Sequence, residues 1–190
     1  MVDFENDIKA CMQALQNDGV ILYPTDTVWG LGCDALNEAA VDKVFAVKQR
    51  PKEKSMIILL ADARDILHYV AAPPPDIIAM VEAFERPTTV IYKNALGFPA
   101  NVVNKDGSIA IRVTTDPFCK ALIKRLRRPI VSTSANISGE PTPAIFSMIN
   151  PSIVAGVDYT VTHRQTDSSI TPPSRLISMD DDGNITVLRD

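Results

Sequence analysis

Apolar residues along this chain alternate between helical and strand-like spacing, and the changes of period mark its elements. Phe4, Ile8, Cys11, Met12 and Leu15 recur at helical spacing, and Asn17-Asp18-Gly19 supplies a stop. The uninterrupted run Val20 to Tyr23 then predicts a buried strand that ends at Pro24, followed by a glycine-rich turn. Val41, Val44, Phe45 and Lys48 predict a helix over 39–48, which Pro51 closes. Met56 to Leu60 predicts a second core strand, 61–70 a helix, Pro73-Pro74-Pro75 a rigid break, and 76–84 another helix. Thr88 to Tyr92 is β-branched and strand-like. Asn94, Gly97, Pro99, Asn101, Asn104 and Gly107 make 93–107 a long loop or a loose hairpin, and loops of that length often carry function. Ser108 to Val113 alternates as a strand, and 117–126 reads as a helix. Pro129-Ile130-Val131 opens a strand that runs into Ser132-Thr133-Ser134-Ala135-Asn136. Short strands are predicted at 157–161, 175–177 and 185–188, with a polar stretch at 163–174.

Strands that alternate with helices predict an α/β fold, and the short C-terminal strands add antiparallel pairing. The expectation is one domain over residues 1–190, a twisted mixed parallel and antiparallel sheet with flanking helices. In such sheets ligands gather where strands end and loops diverge. Here core strands repeatedly end in polar clusters.

Composition narrows the functional classes. No apolar run approaches the roughly 20 residues that cross a bilayer, so no membrane partner is expected. The acidic start, Met1 to Asp7, is unlike a secretory leader. Cys11, Cys33 and Cys119 are far apart with no CxxC spacing, and His68 and His163 are the only histidines, so neither a zinc site nor a disulfide framework is expected. That usage fits a reducing cytoplasm. A net charge of −4 removes any general attraction to polyanions, so an anion site has to be local.

Several clusters can carry chemistry. Lys48-Gln49-Arg50-Pro51 sets two cations at a helix end, which is either dipole complementation or an anion contact. No GxxxxGK[ST] or GxGxxG occurs, so a nucleotide would not be held by a P-loop or a Rossmann turn. The run Ser132 to Gly139 offers hydroxyls and an amide just past a buried strand, suited to phosphate or carboxylate oxygens or to capping its own turn. GxSxG is absent, which disfavours a serine nucleophile. Arg112 interrupts the apolar strand Ile109 to Val113; it either faces solvent or offers its fork to a carboxylate. Trp29 reads as a core anchor or as a stacking surface.

Taken together and in order, "YPTDTVWGLGCDA", "KQRP", "IAIRV" and "STSANISGEPTP" resemble the YrdC/TsaC-like L-threonylcarbamoyladenylate synthases, over about Val20 to Arg189. The resemblance implies a YrdC-like fold with a concave, positively lined cavity. It implies a nucleotidyltransferase that makes threonylcarbamoyl-AMP and pyrophosphate from ATP, L-threonine and bicarbonate, for t6A modification of tRNA. A separate threonylcarbamoyl transferase complex would complete that modification. By position, Lys48 and Arg50 match the family's KxR pair and Ser134 and Asn136 its SxN pair, the expected catalytic set. Lys54, Ser108, Thr142, Ser174 and Arg189 would join Lys48, Arg50 and Asn136 at ATP, while Thr27, Arg112 and Ser134 would meet threonine. Mg2+ would travel with ATP, with no metal cage in the protein. Lys54 stands where asparagine is frequent, Leu59 where many members carry a threonine-contacting histidine, and "FERPTT" replaces WPGPLT. The alternatives are a YciO-like or carbamoyl-adenylate-handling relative, or a protein that binds tRNA or double-stranded RNA.

Overall fold

The computed structural model describes residues 4–52, 56–180 and 183–190. Chain order runs α1 (Glu5–Gln16), β1 (Ile21–Tyr23), β2 (Gly30–Gly32), α2 (Glu38–Lys48) and β3 (Ile57–Leu60). A 3-10 turn at Ala63–Asp65 leads into α3 (Ile66–Tyr69), then α4 (Ile77–Glu82), β4 (Thr88–Tyr92) and β5 (Ile109–Val113). α5 (Pro117–Leu126), β6 (Ile130–Ser134), a 3-10 turn at Phe146–Met148, α6 (Pro151–Ala155), β7 (Tyr159–Thr160), β8 (Arg175–Met179) and β9 (Ile185–Arg189) complete it.

Among the described residues nine strands form one sheet in the order β7-β1-β2-β6-β3-β5-β4-β8-β9. β1 with β7, β3 with β5 and β4 with β8 run parallel; the other neighbours are antiparallel. This is the mixed α/β sheet that the alternation of elements predicts. Residue partners across strands share a face, so Ile57 lies beside Ala110 and Ser132, and Leu59 beside Arg112. The other face of these strands carries Ile58, Leu60, Ile109, Ile111 and Val131, all buried in the core. α5 packs against β3 and against α1, which in turn meets β1 and β7.

Three segments differ from the sequence expectation. The glycine-rich turn is β2, a strand paired on both sides, with Gly30 opposite Tyr23 and Ser134. Gly32 is required there by close approach, since a Cβ would lie 2.4 Å from the Val131 carbonyl oxygen and 2.7 Å from Tyr23 Cε1. The helix expected over 61–70 shrinks to the 3-10 turn and α3, because Asp62 caps the Arg64 amide and Val70 leaves the helix to bridge Ala95. Residues 151–155 form α6, opened by Asn150, which accepts from the Ser152 amide at 3.0 Å, and by Pro151 in the first turn.

Candidate functional site

A cavity of about 320 Å³ lies on the sheet face that carries Ile57, Ala110 and Ser132. Strand period explains its walls: Ala110 and Arg112 come from β5, Ser132 and Ser134 from β6, and Gly30 from β2, each set on one face of the pleat. Gly30 presents backbone where a side chain would take up space, its absent Cβ 3.3 Å from Ser132 Oγ. The volume falls at the lower end of the range for small-molecule sites.

Seven of the candidate residues line this cavity: Thr27, Arg50, Arg112, Ser134, Thr142, Ser174 and Arg189. Arg112 is only 4% exposed, so its charge needs partners. Its Nη2 lies 3.2 Å from Asp26 Oδ1, and its Nη1 donates to Thr27 Oγ1 at 3.0 Å. Nε has no hydrogen-bond partner among the described residues. Asp26 is further held by the Thr114 hydroxyl at 3.3 Å and the Thr115 amide at 3.4 Å. Asp26 was not among the sequence candidates, although its place between Thr25 and Thr27 is a usable signal.

The Lys48 and Arg50 side chains part company. Gln49 takes a left-handed conformation, φ 50°, with its amide bonded to Ala46 O, and the Arg50 amide reaches back to Phe45 O. That turn ends α2 and brings Arg50 to the cavity wall, where burial lowers its pKa. Lys48 stays beneath, 1% exposed, and is not a lining residue. Its ammonium donates to the Ser134 carbonyl, to Asn136 O at 2.7 Å and, weakly, to Asn136 Oδ1 at 3.5 Å. Its own carbonyl accepts from the Ser138 amide at 2.8 Å, so Lys48 clamps the turn after β6 from both ends. Burial, and then repulsion from Arg50, bring its pKa down to about 8.

Asn136 also sits behind the wall. Its Nδ2 donates to Glu140 O at 2.8 Å and Ile137 O at 3.0 Å, and its Oδ1 accepts from Ser134 Oγ at 2.5 Å. Ser134 is thus the member of the SxN pair that reaches the cavity. Across the cavity, Ser174 is fixed by Thr89, hydroxyl to hydroxyl at 2.8 Å, and its carbonyl accepts from Arg189 Nη2 at 2.8 Å. Thr142 lines the cavity from the exposed loop after β6.

Ser108 does not join this group. Its hydroxyl donates to Asp106 Oδ1 at 2.6 Å and accepts from Asn104 at 2.9 Å, closing the turn before β5. Lys54 lies outside the described residues. Leu59 is fully buried beside Arg112 in the sheet register and contributes no polar atom to the cavity. Trp29, 6% exposed, packs on Phe146 with ring centroids 4.8 Å apart, outside this cavity and in agreement with the core-anchor reading.

Residues 13–190 match the family model Sua5_yciO_yrdC, whose description is telomere recombination. The chain belongs to this family. Among Sua5_yciO_yrdC relatives, a threonylcarbamoyl-AMP synthase of Xanthomonas campestris pv. campestris (strain B100) is 33% identical over 155 residues, covering 80% of this chain and 83% of that protein. Another, from Pseudoalteromonas translucida (strain TAC 125), is 38% identical over 141 residues, 73% of this chain and 75% of that protein. The fold is shared with P. abyssi Sua5 complexed with L-threonine, at a TM-score of 0.85 and 24% identity over 97% of this chain. This chain spans 54% of that one, about half its length. E. coli YciO has the same fold, with a TM-score of 0.82 and 24% identity, covering 97% of this chain and 89% of that one. Within the family fold, the sheet face and the strand ends that build the cavity are therefore set by an architecture common to these proteins. Among the described residues no helix is long and apolar enough to cross a membrane.

Proposed function

We propose that this chain is an enzyme, a cytoplasmic threonylcarbamoyl-AMP synthase that joins L-threonine, bicarbonate and ATP. The observation that carries the reading is the Arg112–Thr27 pair on the wall of a polar cavity, in a chain 33% to 38% identical to proteins of that name over most of its length. In this reading the threonine carboxylate meets the part of the Arg112 fork that lines the cavity, beside the Nη contacts to Thr27 and Asp26. Thr27 contacts the same substrate. Arg50 and Arg189 bring positive charge to the cavity for the triphosphate, with Ser134, Thr142 and Ser174 as hydroxyl contacts. Lys48 and Asn136 hold the turn that presents Ser134.

The chemistry needs three anions in one pocket. The threonine ammonium loses a proton to solvent, and the resulting amine forms a C–N bond with the carbon of bicarbonate, releasing water and leaving an N-carboxylate. An oxygen of that carboxylate attacks the α-phosphorus, and the bond to the departing pyrophosphate breaks. Positioning and charge compensation supply most of the rate in such a transfer. Among the described residues no group of three or more His, Cys, Asp or Glu side chains gathers, and Asp26 is committed to Arg112. Mg2+ would enter with ATP rather than sit in a protein cage, and would supply neutralisation of the triphosphate charge. The product is a reactive anhydride, and, as the family resemblance implies, a transferase complex would pass the group to tRNA.

The test is pyrophosphate release from ATP with bicarbonate, with and without threonine. Release should require threonine, and Arg112→Ala should raise the threonine KM roughly 10- to 100-fold, the worth of a charge-assisted hydrogen bond. Release that ignores threonine, or none at all, overturns the proposal.

A further inference from the structure

Thr25 stands directly behind Thr27, 7% exposed, and its hydroxyl proton is already spent. Thr25 Oγ1 donates to the Val28 carbonyl at 2.8 Å, and a carbonyl can only accept. The same oxygen accepts from the Thr27 amide at 3.0 Å. A hydroxyl carries one proton, so the 3.1 Å contact between the two threonine hydroxyls has to be donated by Thr27. Arg112 Nη1, which can only donate, takes one acceptor site on Thr27 Oγ1 at 3.0 Å. What Thr27 retains for the cavity is a single lone pair.

We propose that Thr25 is a positioning residue that locks the Thr27 hydroxyl as an acceptor, so that the site selects a ligand bringing an N–H donor next to its carboxylate. This rests on the amino-acid reading of the cavity given above and specifies what the site demands of the substrate. A carboxylate on the Arg112 fork sets the substituent of its neighbouring carbon beside Thr27, and in an α-amino acid that substituent is the amine. Donating N–H to Thr27 leaves the nitrogen lone pair turned away and free to bond to carbon. A hydroxyl able to rotate and donate would instead cap that lone pair and quench the nucleophile. A keto group at the same position opposes lone pair to lone pair and is rejected. Polar sites discriminate strongly against ligands that leave their buried groups unpaired.

The test pairs two ligands that differ only at this atom. Calorimetric titration of the wild-type chain with L-2-aminobutyrate and with 2-oxobutyrate should show the oxo acid at least about tenfold weaker. Thr25→Val frees the Thr27 hydroxyl to donate, and should narrow that gap to within roughly threefold; Thr25→Ser, which keeps the hydroxyl, should restore it. In turnover, Thr25→Val should raise the threonine KM roughly three- to tenfold with the ATP KM unchanged. Equal binding of the two ligands by the wild type, or binding of neither, overturns the proposal whether or not the valine variant folds. So does an equal effect of the valine and serine variants, or a parallel rise in both KM values. Amine-over-oxo preference without threonine-dependent pyrophosphate release would remove the proposed reaction and leave this inference standing.

Discussion

Arg112 and Asp26 meet at 3.2 Å with both side chains almost out of water, 4% and 10% exposed. Removing one member of such a pair leaves the other charge without compensation, at a cost larger than the pair is worth. Asp26→Asn preserves shape and removes the charge. Urea unfolding at pH 7 should show a loss of about 3 kcal/mol. A loss under 0.5 kcal/mol, of the size seen at exposed pairs, would show that water already shields Arg112.

Burial, and then Arg50, disfavour the charge on Lys48 and bring its pKa down to about 8. A triphosphate arriving in the cavity that Ser134 lines favours the charged form, so the pKa rises on binding. Around pH 8 part of the free protein therefore lacks this proton, and ATP binding should take up a fraction of one proton. Titrations in buffers of different ionisation enthalpy read that number directly. Lys48→Met should abolish the uptake, and should also loosen the turn whose Ser134 and Asn136 carbonyls lose their donor.

Asp7 anchors the start of the loop over 162–174. Its carboxylate accepts from Tyr159 Oη at 2.6 Å, the Thr162 amide at 2.8 Å and the His163 amide at 2.9 Å, and also from the Thr162 hydroxyl. Burial pushes its pKa up, but these hydrogen bonds together outweigh it and the net shift is downward from 3.8. A depressed carboxylate pKa adds stability that is present above the unfolded value and is lost as pH falls through the folded one. The difference in unfolding free energy between wild type and Asp7→Asn should therefore hold steady from pH 7 to about 5 and shrink below about 4. A difference that does not change with acid would contradict this.

Gly32→Ala places a methyl group against the Val131 carbonyl and the Tyr23 ring, neither of which can yield without moving a strand. Thermal unfolding should report a loss of about 2 kcal/mol or more. Gly97→Ala, in open space at φ 73°, serves as a comparison in which backbone strain alone acts.

Much of the fold is written in local pattern. The strand Thr88–Tyr92 and the helix Pro117–Leu126 follow the predicted bounds because β-branching and helical spacing act within a few residues. Gly30–Gly32 reads as a turn because glycine has little strand preference; it becomes a strand through pairing with Tyr23 on one side and Ser134 on the other. The Asn150-Pro151 start of α6 was a legible helix signal in a segment too short to show a period. At the candidate site, Ser134 ends β6 and Thr27 follows β1, at the polar strand ends that the pattern marks, whereas Arg112 lies within β5 and only the fold decides between solvent and cavity for it. Ser108 is taken up by its own turn instead, a competition that short polar side chains often win locally.

By itself the sequence determined most of the element types, the α/β alternation and the chemical repertoire gathered near the strand ends. Those properties depend on side-chain shape and spacing along a short stretch of chain. Only the tertiary structure decided that Arg112 would meet Thr27 across 85 residues. It also set Arg50 at the cavity wall while burying Lys48 beneath the Ser134 and Asn136 carbonyls, 86 and 88 residues away. Hydrogen-bond partners and burial are set by which distant strands lie side by side, and no period in the chain records them.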